Sequence, residues 1–333
     1  MIILGIESTA HTFGIGIIKS VGKKNSVLAN VKDLYTTEKE GIIPAKVADH
    51  HVEVCDVVFE KALKEAKIKK ENIDVIAFSQ SPGLGHTLRI GAMFARSLAV
   101  SLNKPLVGVN HCIAHLEIGR LLTKAKDPIL LYASGANTQV IAYEAGKYRI
   151  FGETLDIGVG NFLDTFARAL GIGFPGGPKI EQLAKSGKKY KKYIELPYVV
   201  KGMDVSFGGI LTNIQTKWNS QMFSKEDLCY SGQETVFSML VEVTERALAH
   251  TGKKEVLLGG GVACNKRLQE MVKIMCKERG AKSFVPENQF LVDNGAMIAW
   301  LGKLQFDAGI VLEIEKAIIE PYLRTDEIMV KWR

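Results

Sequence analysis

Strand-like runs joined by short polar turns occur twice in the same order, and that repeat limits the folds open to this chain. IILGIEST (2–9) passes through a turn into HTFGIGIIK (11–19), and PILLYASGANT (128–138) passes into QVIAYEAG (139–146). Later in each half a buried-strand pattern leads through a glycine loop into a helix. DVIAFSQSPGLG (74–85) precedes a helix near 88–102, and EVLLGGGVACN (255–265) precedes KRLQEMVKIMCKERG. Alternating strands and helices imply a layered α/β architecture. The repeat implies two related lobes, 1–127 and 128–333, around a central cleft. Glycine loops at the carboxyl ends of parallel strands are where such sheets bind ligands, because free backbone amides and helix N-termini converge there. Helical spacing of apolar residues over 225–251 reads as scaffold of the second lobe.

At 333 residues, with 47% hydrophobic and 24% charged residues, the chain can bury a large core and lacks the composition of a disordered protein. Its 43 Lys and Arg against 36 Asp and Glu give a formal charge of +7, which suits a polyanionic partner without naming one. The run KSGKKYKKY (185–193) sets five lysines beside two tyrosines, an arrangement suited to phosphates with occasional stacking on a base; a solvated surface loop is the alternative. Five scattered cysteines form no CxxC pair, so a reducing cytoplasm is the expected location. The apolar start lacks a basic n-region and is broken by Glu7 and His11, and no stretch has the length of a membrane span, so neither secretion nor membrane insertion is expected.

NHCIAHLEIG carries the sharpest local signal. His111 and His115 follow the strand-like PLVGV, and a spacing of four puts both imidazoles on one helical face, where both can reach one metal ion. A capping histidine next to a half-buried one would give the same spacing. Cys112 stands where an HExxH peptidase needs its glutamate, which counts against peptide hydrolysis. Tyr132, ending PILLY, and Asp293, in LVDNGAMIAW at another expected helix start, are candidate further donors, a set that suits iron or zinc. Asp164 in GNFLDTFARALG, Gly176, Gly177 and Glu181 in FPGGPKIEQLAK, and Asn265 in GGGVACN have the character of a nucleotide site. Each alone reads equally as a cap or a turn.

Taken together, GIESTAHTFGIGI, FSQSPGLG, NHCIAH, LYASGANTQV, GETLDIGVGNFLDTFAR, PGGPKIE, KGMDVSF, GGGVACN and DNGAMIAW run in order along nearly the whole chain. They resemble the universal tRNA threonylcarbamoyladenosine transferase family, once described as O-sialoglycoprotein endopeptidases. NTQV and the closing RTDEIMVKWR are similar to its archaeal and eukaryotic branch, the catalytic subunit of the KEOPS complex. The resemblance implies an actin-like fold of the sugar-kinase and heat-shock ATPase type. It implies one divalent or trivalent metal ion per subunit, usually iron with zinc as the alternative, on His111, His115, Tyr132 and Asp293. It also implies substrate contacts at Tyr132, Ala133, Ser134, Gly135, Ala136, Asp164, Gly177, Glu181 and Asn265. Ala136 departs from the usual SGGNTQ, and Ser81, His86 and Gly208 are further departures.

The reaction implied by the resemblance moves a threonylcarbamoyl group from threonylcarbamoyl-adenylate to the exocyclic amine of the adenosine 3′ of the anticodon, in tRNAs reading codons that begin with A. Its implied partners are a kinase-like ATPase, a dimerising subunit and an accessory tRNA-binding subunit. His111 and His115 act through the metal, and no general base is identified. An ATP-dependent nucleic-acid-binding or assembly module of the actin-like ATPase class is the alternative.

Overall fold

The structure, a computed structural model, describes residues 1–37, 43–190 and 192–333, without the side chains of 187–190. Most of the lysine and tyrosine run at 185–193 therefore lies outside the described side chains. Two compact units are present: 1–122 with 144–148 and 292–333, and 123–143 with 149–291.

In the first unit, β1 (Ile2–Glu7), β2 (Thr12–Val21) and β3 (Lys24–Leu34) form an antiparallel meander. Helix α1 (Pro44–Ala66) starts with proline in its first turn and ends at Lys67 in left-handed backbone, φ 54°. Next come β4 (Val75–Ser81), α2 (Gly85–Leu102), β5 (Leu106–Asn110) and α3 (His111–Leu122). The sheet order is β3-β2-β1-β4-β5, with β4 parallel to β1 and β5 parallel to β4. Every residue of β4 is buried, as expected of a central parallel strand.

The second unit repeats this plan. It holds β6 (Ile129–Ala133), most of β7 (Thr138–Glu144) and of β8 (Lys147–Glu153), α4 (Val159–Ala169), α5 (Gly176–Tyr190) and the short pair β9 (Val200–Lys201) and β10 (Asp204–Val205). It continues through α6 (Gly208–Asn219), α7 (Lys225–Thr251), β11 (Glu255–Gly259), α8 (Lys266–Glu278), β12 (Lys282–Phe284) and α9 (Asn288–Leu291). Read as β8-β7-β6-β11-β12, its sheet has the order of the first, again with two parallel pairs, β6 with β11 and β11 with β12. The expected scaffold helix is α7, opened by the Ser224 side chain accepting from Asp227 N–H and closed by Gly252 at φ 69°. Its apolar face joins Phe162, Phe166 and Phe207 in one core cluster, each such buried side chain contributing about 1.5–3 kcal/mol.

The last helix, α10 (Gly295–Asp307), changes the expected division at residue 128. It belongs to the first unit, packed on β1, β2 and β4. The reason is steric: helix and strands meet backbone to backbone. A Cβ on Gly16 would lie 2.0 Å from Ala296 N, one on Gly5 2.2 Å from Ala299 N, and one on Gly295 2.0 Å from Gly16 N. A pattern of single glycines in strands says nothing about which distant helix needs them, so the sequence alone left 292–333 with the second lobe. Among the described residues no helix is long and apolar enough to cross a membrane.

Two substitutions test this account of α10 by thermal denaturation. Gly16→Ala puts a methyl into backbone and is expected to cost about 3 kcal/mol. Gly209→Ala, in α6 with no atom within 4 Å of its would-be Cβ, is expected to be neutral or stabilising by about 0.5–1 kcal/mol.

Candidate metal centre and glycine-loop site

Parallel strands β1, β4 and β5 end side by side, and their last residues build the first site. Asn110, the last residue of β5, accepts from Ile113 N–H at 3.1 Å and so caps α3, which fixes His111 at the first helical position. Asn294 does the same for α10: it is fully buried, accepts from Met297 N–H at 3.0 Å and donates to Val292 O at 2.8 Å. Asp293 is thereby held just ahead of the helix. His111 Nε2 lies 3.3 Å and His115 Nε2 3.4 Å from Asp293 Oδ1. The two rings meet edge to face at 4.8 Å between centroids. Among the described residues these three make a cluster of potential metal ligands whose donor atoms lie within 4.8 Å of one another. The spacing of His111 and His115 thus gives the shared face expected of it.

Glu7, at the end of β1, is the partner that sequence reasoning missed. It is 0% exposed, and its Oε2 accepts from His111 Nδ1 at 2.9 Å. Its Oε1 accepts from Thr9 N–H at 2.7 Å and from the Thr9 hydroxyl at 2.5 Å. The only signal in the sequence was a carboxylate interrupting an apolar strand, where burial demands a partner. Binding Nδ1–H to Glu7 leaves His111 Nε2 as the atom on the Asp293 side, the arrangement by which a carboxylate sets the tautomer of a metal-binding histidine.

The charges follow from this packing. Burial pushes the His111 imidazole down, but the carboxylates of Glu7 and Asp293 outweigh it and hold its pKa well above the ordinary value. Burial lowers His115, with Asp293 only partly opposing, which favours the neutral imidazole a metal needs. Burial raises Asp293, yet His111 and His115 hold it well below the usual carboxylate range. Two imidazoles and a carboxylate, one imidazole backed by a second carboxylate, fit iron or zinc. Cys112, between the histidines, is buried and its thiol is pushed up, chiefly by that burial, so it supplies neither thiolate nor general base.

The remaining expected site residues lie in the second unit, around the carboxyl ends of the neighbouring parallel strands β6 and β11. Tyr132 is buried in β6, paired with Gly259 of β11. Backbone bonds hold the loop from Ala133 to Ala136: Gly160 N–H donates to Ser134 O at 2.9 Å and Asn161 N–H to Gly135 O at 3.0 Å. Two glycines that the sequence did not single out make this possible. A Cβ on Gly158 would lie 2.3 Å from Gly135 O, and one on Gly260, at φ 90°, 2.3 Å from Ala133 O. Ala136 is exposed and is not among the non-glycine residues with positive φ, so its methyl introduces no left-handed strain.

Three of the expected contact residues also have structural tasks. Asp164 Oδ1 accepts from Gly176 N–H at 2.7 Å, at the start of α5, one residue before Gly177. Glu181 Oε1 accepts from Lys266 N–H at 3.2 Å and pairs with Lys185 Nζ at 3.0 Å, tying α5 to the first turn of α8. Asn265 caps α8, accepting from Arg267 N–H at 2.8 Å, while its amide donates to Gln233 Oε1 at 2.9 Å. These bonds bring the loops after β6, before α5 and after β11 into one neighbourhood within the unit.

With this geometry in view, comparison with known proteins is specific. Residues 26–300 match the model of the tRNA N6-adenosine threonylcarbamoyltransferase family. A protein of that name from Thermococcus kodakarensis is 58% identical over 332 residues, spanning all of both chains, and one from Thermococcus gammatolerans is 57% identical over the same span. A probable bifunctional tRNA threonylcarbamoyladenosine biosynthesis protein from Methanocaldococcus jannaschii is 53% identical, this chain matching 60% of it. Among solved structures, T. kodakarensis HypF aligns with TM-score 0.65 at 16% identity over 92% of this chain and 48% of that one. Component A of Acidaminococcus fermentans (R)-2-hydroxyglutaryl-CoA dehydratase aligns with TM-score 0.55 at 18% identity, over 90% of this chain and 97% of that one. The structural likenesses establish the actin-like fold and nothing of the chemistry. The full-length sequence matches establish the rest: this chain is a transferase and belongs to the tRNA N6-adenosine threonylcarbamoyltransferase family.

Proposed function

We propose that the chain transfers the threonylcarbamoyl group of threonylcarbamoyl-adenylate to the exocyclic amine of the adenosine 3′ of the anticodon, in tRNAs that read codons beginning with A. The observation that carries this reading is the buried cluster of His111, His115 and Asp293 backed by Glu7, in a chain of this family. The three ligands, with Tyr132 expected as a fourth, would hold one iron or zinc ion, which when bound supplies a Lewis acid for the donor's carbonyl. Glu7 keeps the Nδ1 proton of His111 and thereby the ligating face of Nε2. Asn110 and Asn294 fix the two helix starts, so the ligand set needs little reorganisation to act.

The adenylate is the expected ligand of the glycine loops in the second unit. Gly158 and Gly260 let backbone pack against the 133–136 loop that would face the ligand, and Asp164 holds the α5 terminus where Gly177 stands. Asp164, Glu181 and Asn265 then act both on the loops and on the ligand. The mixed anhydride is already activated, so the protein needs to place two reactants and stabilise charge on the carbonyl oxygen and leaving phosphate. The adenosine is expected to leave its stack to react, as bases in single-stranded loops do when modified. A kinase-like ATPase, a dimerising subunit and an accessory tRNA-binding subunit are the proposed partners, in the cytoplasm.

Mass spectrometry of tRNA nucleosides after incubation with threonine, bicarbonate, ATP, an adenylate-forming enzyme and this protein tests the reaction, the proposed partners being omitted one at a time. His111→Ala is expected to lose bound metal and at least about 100-fold in transfer rate, whereas Glu7→Gln weakens metal binding by about 10- to 100-fold with the fold retained. Normal single-turnover transfer by metal-free His111→Ala would sink the assignment. Metal content of Tyr132→Phe tests the fourth ligand.

Gly158→Ala probes the second unit separately. Its methyl displaces the 134–136 loop, so the donor's KM should rise about tenfold or more while metal content per subunit stays at the wild-type value. Metal loss in that variant, or an unaltered donor KM, would contradict the separation of tasks.

A further inference from the structure

One exposed aromatic of the first unit, Tyr322, has no task in the account above. Residues Glu320 to Thr325 run beside the loop that leads into α2, and their backbone is clamped. Glu320 N–H donates to Gln80 O at 2.9 Å, Gly83 N–H to Pro321 O at 3.1 Å, and Leu323 N–H to Glu320 O at 3.1 Å. The Gln80 side chain reinforces this by donating to Ile318 O at 2.7 Å. Thr325, at the end of the segment, is buried. In the middle of this clamp Tyr322 leaves 92% of its surface in solvent.

Such a ring adds almost nothing to the core, and the backbone on both sides of it is nonetheless hydrogen-bonded. Folding stability gives no reason for a tyrosine there. An aromatic side chain with few rotamers on a fixed backbone does make a good platform for an unpaired base, because little order is lost on stacking. The segment is also linked to the metal cluster through two hydrogen bonds. Leu84 N–H, in the loop clamped by Pro321, donates to Thr9 O at 2.8 Å, and the Thr9 hydroxyl lies 3.2 Å from His111 Nδ1.

The surrounding charge narrows the kind of contact. His86 and Arg89 are exposed and three residues apart, hence on one face of α2, and His86 is a departure from the usual family sequence. Arg324 adds a cation, paired with Asp326 at 3.2 Å, and Glu320 and Glu327 are carboxylates of the same segment. Mixed charge disfavours a broad phosphate-tracking groove and leaves the ring as the main source of affinity.

We propose that Tyr322 stacks on an unpaired base of the tRNA anticodon loop, flanking the target adenosine, and so positions that loop beside the His111 cluster. The inference rests on the tRNA-modifying reading above. With the full chain and its partner subunits, tRNA affinity by fluorescence anisotropy and KM for tRNA are to be measured for wild type, Tyr322→Phe and Tyr322→Ala. Tyr322→Ala is expected to weaken tRNA binding and raise KM for tRNA about tenfold, without a matching rise in donor KM, and Tyr322→Phe to stay within about twofold of wild type. Because the ring is exposed, Tyr322→Ala should fold as wild type does, which the thermal midpoint checks.

Wild-type tRNA binding and KM in Tyr322→Ala, while transfer proceeds, would overturn the stacking proposal alone. Equal losses in Tyr322→Phe and Tyr322→Ala would also overturn it, by assigning the contact to the hydroxyl. Loss of a partner subunit from the complex with tRNA affinity intact would make the site a protein interface and overturn it too. A wild-type complex that neither binds nor modifies tRNA would bring down the functional reading and this inference with it.

Discussion

Contact between the backbone of α10 and the backbones of β1 and β2 fixes the position of everything else in the first unit. Two pieces of main chain can approach this closely only where no side chain intervenes, and Gly5, Gly16 and Gly295 provide the gap. Such a contact has almost no freedom to slide, unlike an interface of interdigitating side chains, because any shift drives Cα atoms into carbonyls. Asp293 sits immediately before this helix. The carboxylate of the metal cluster thus inherits its position from steric exclusion several residues away.

The histidines reach the same point by a different route. Asn110 ends a buried parallel strand and caps the helix that begins with His111, so strand and helix share one rigid joint. Glu7 closes the arrangement from the neighbouring strand. A fully buried carboxylate is costly unless it is hydrogen-bonded, and Glu7 is bonded by a backbone amide, a hydroxyl and an imidazole. Removing the His111 ring would strip Oε2 of its hydrogen bond while the carboxylate stays buried, a larger cost than a lost contact alone.

How much of this was legible in the sequence depends on the range of the interaction. The strand-turn-strand repeat, the long helix α7 and the shared face of His111 and His115 are local periodicities, and each has its counterpart in the structure. Glu7 was visible only as an interruption of an apolar run, since nothing local says that the strand carrying it ends beside β5. The packing of 292–333 with the first unit was invisible for the same reason. Asp164 and Asn265 show another limit: a residue that caps a helix beside a ligand loop has the same sequence signature whether it serves the helix, the ligand or both. Asp293 and Tyr132 were candidate donors that spacing alone could not bring to the histidines, and geometry now joins Asp293 to the two histidines.

The buried cysteines bear on the kind of chemistry this scaffold supports. Burial pushes the Cys112 thiol up, and it raises Cys229 to about 12 and Cys276 to about 11. None of the three can be a thiolate nucleophile at neutral pH. The position of the glutamate base in a zinc peptidase is one of these inert thiols, so water activation in that manner has no residue to perform it. What the first unit does provide is a fixed set of imidazole and carboxylate donors, and the second provides backbone loops that a single methyl would displace. A donor that is already activated requires no more than placement and charge stabilisation. The absence of an activated thiol at Cys112 is therefore what a transfer reaction by positioning would lead one to expect, whereas a hydrolase reading would have to supply the missing base from elsewhere.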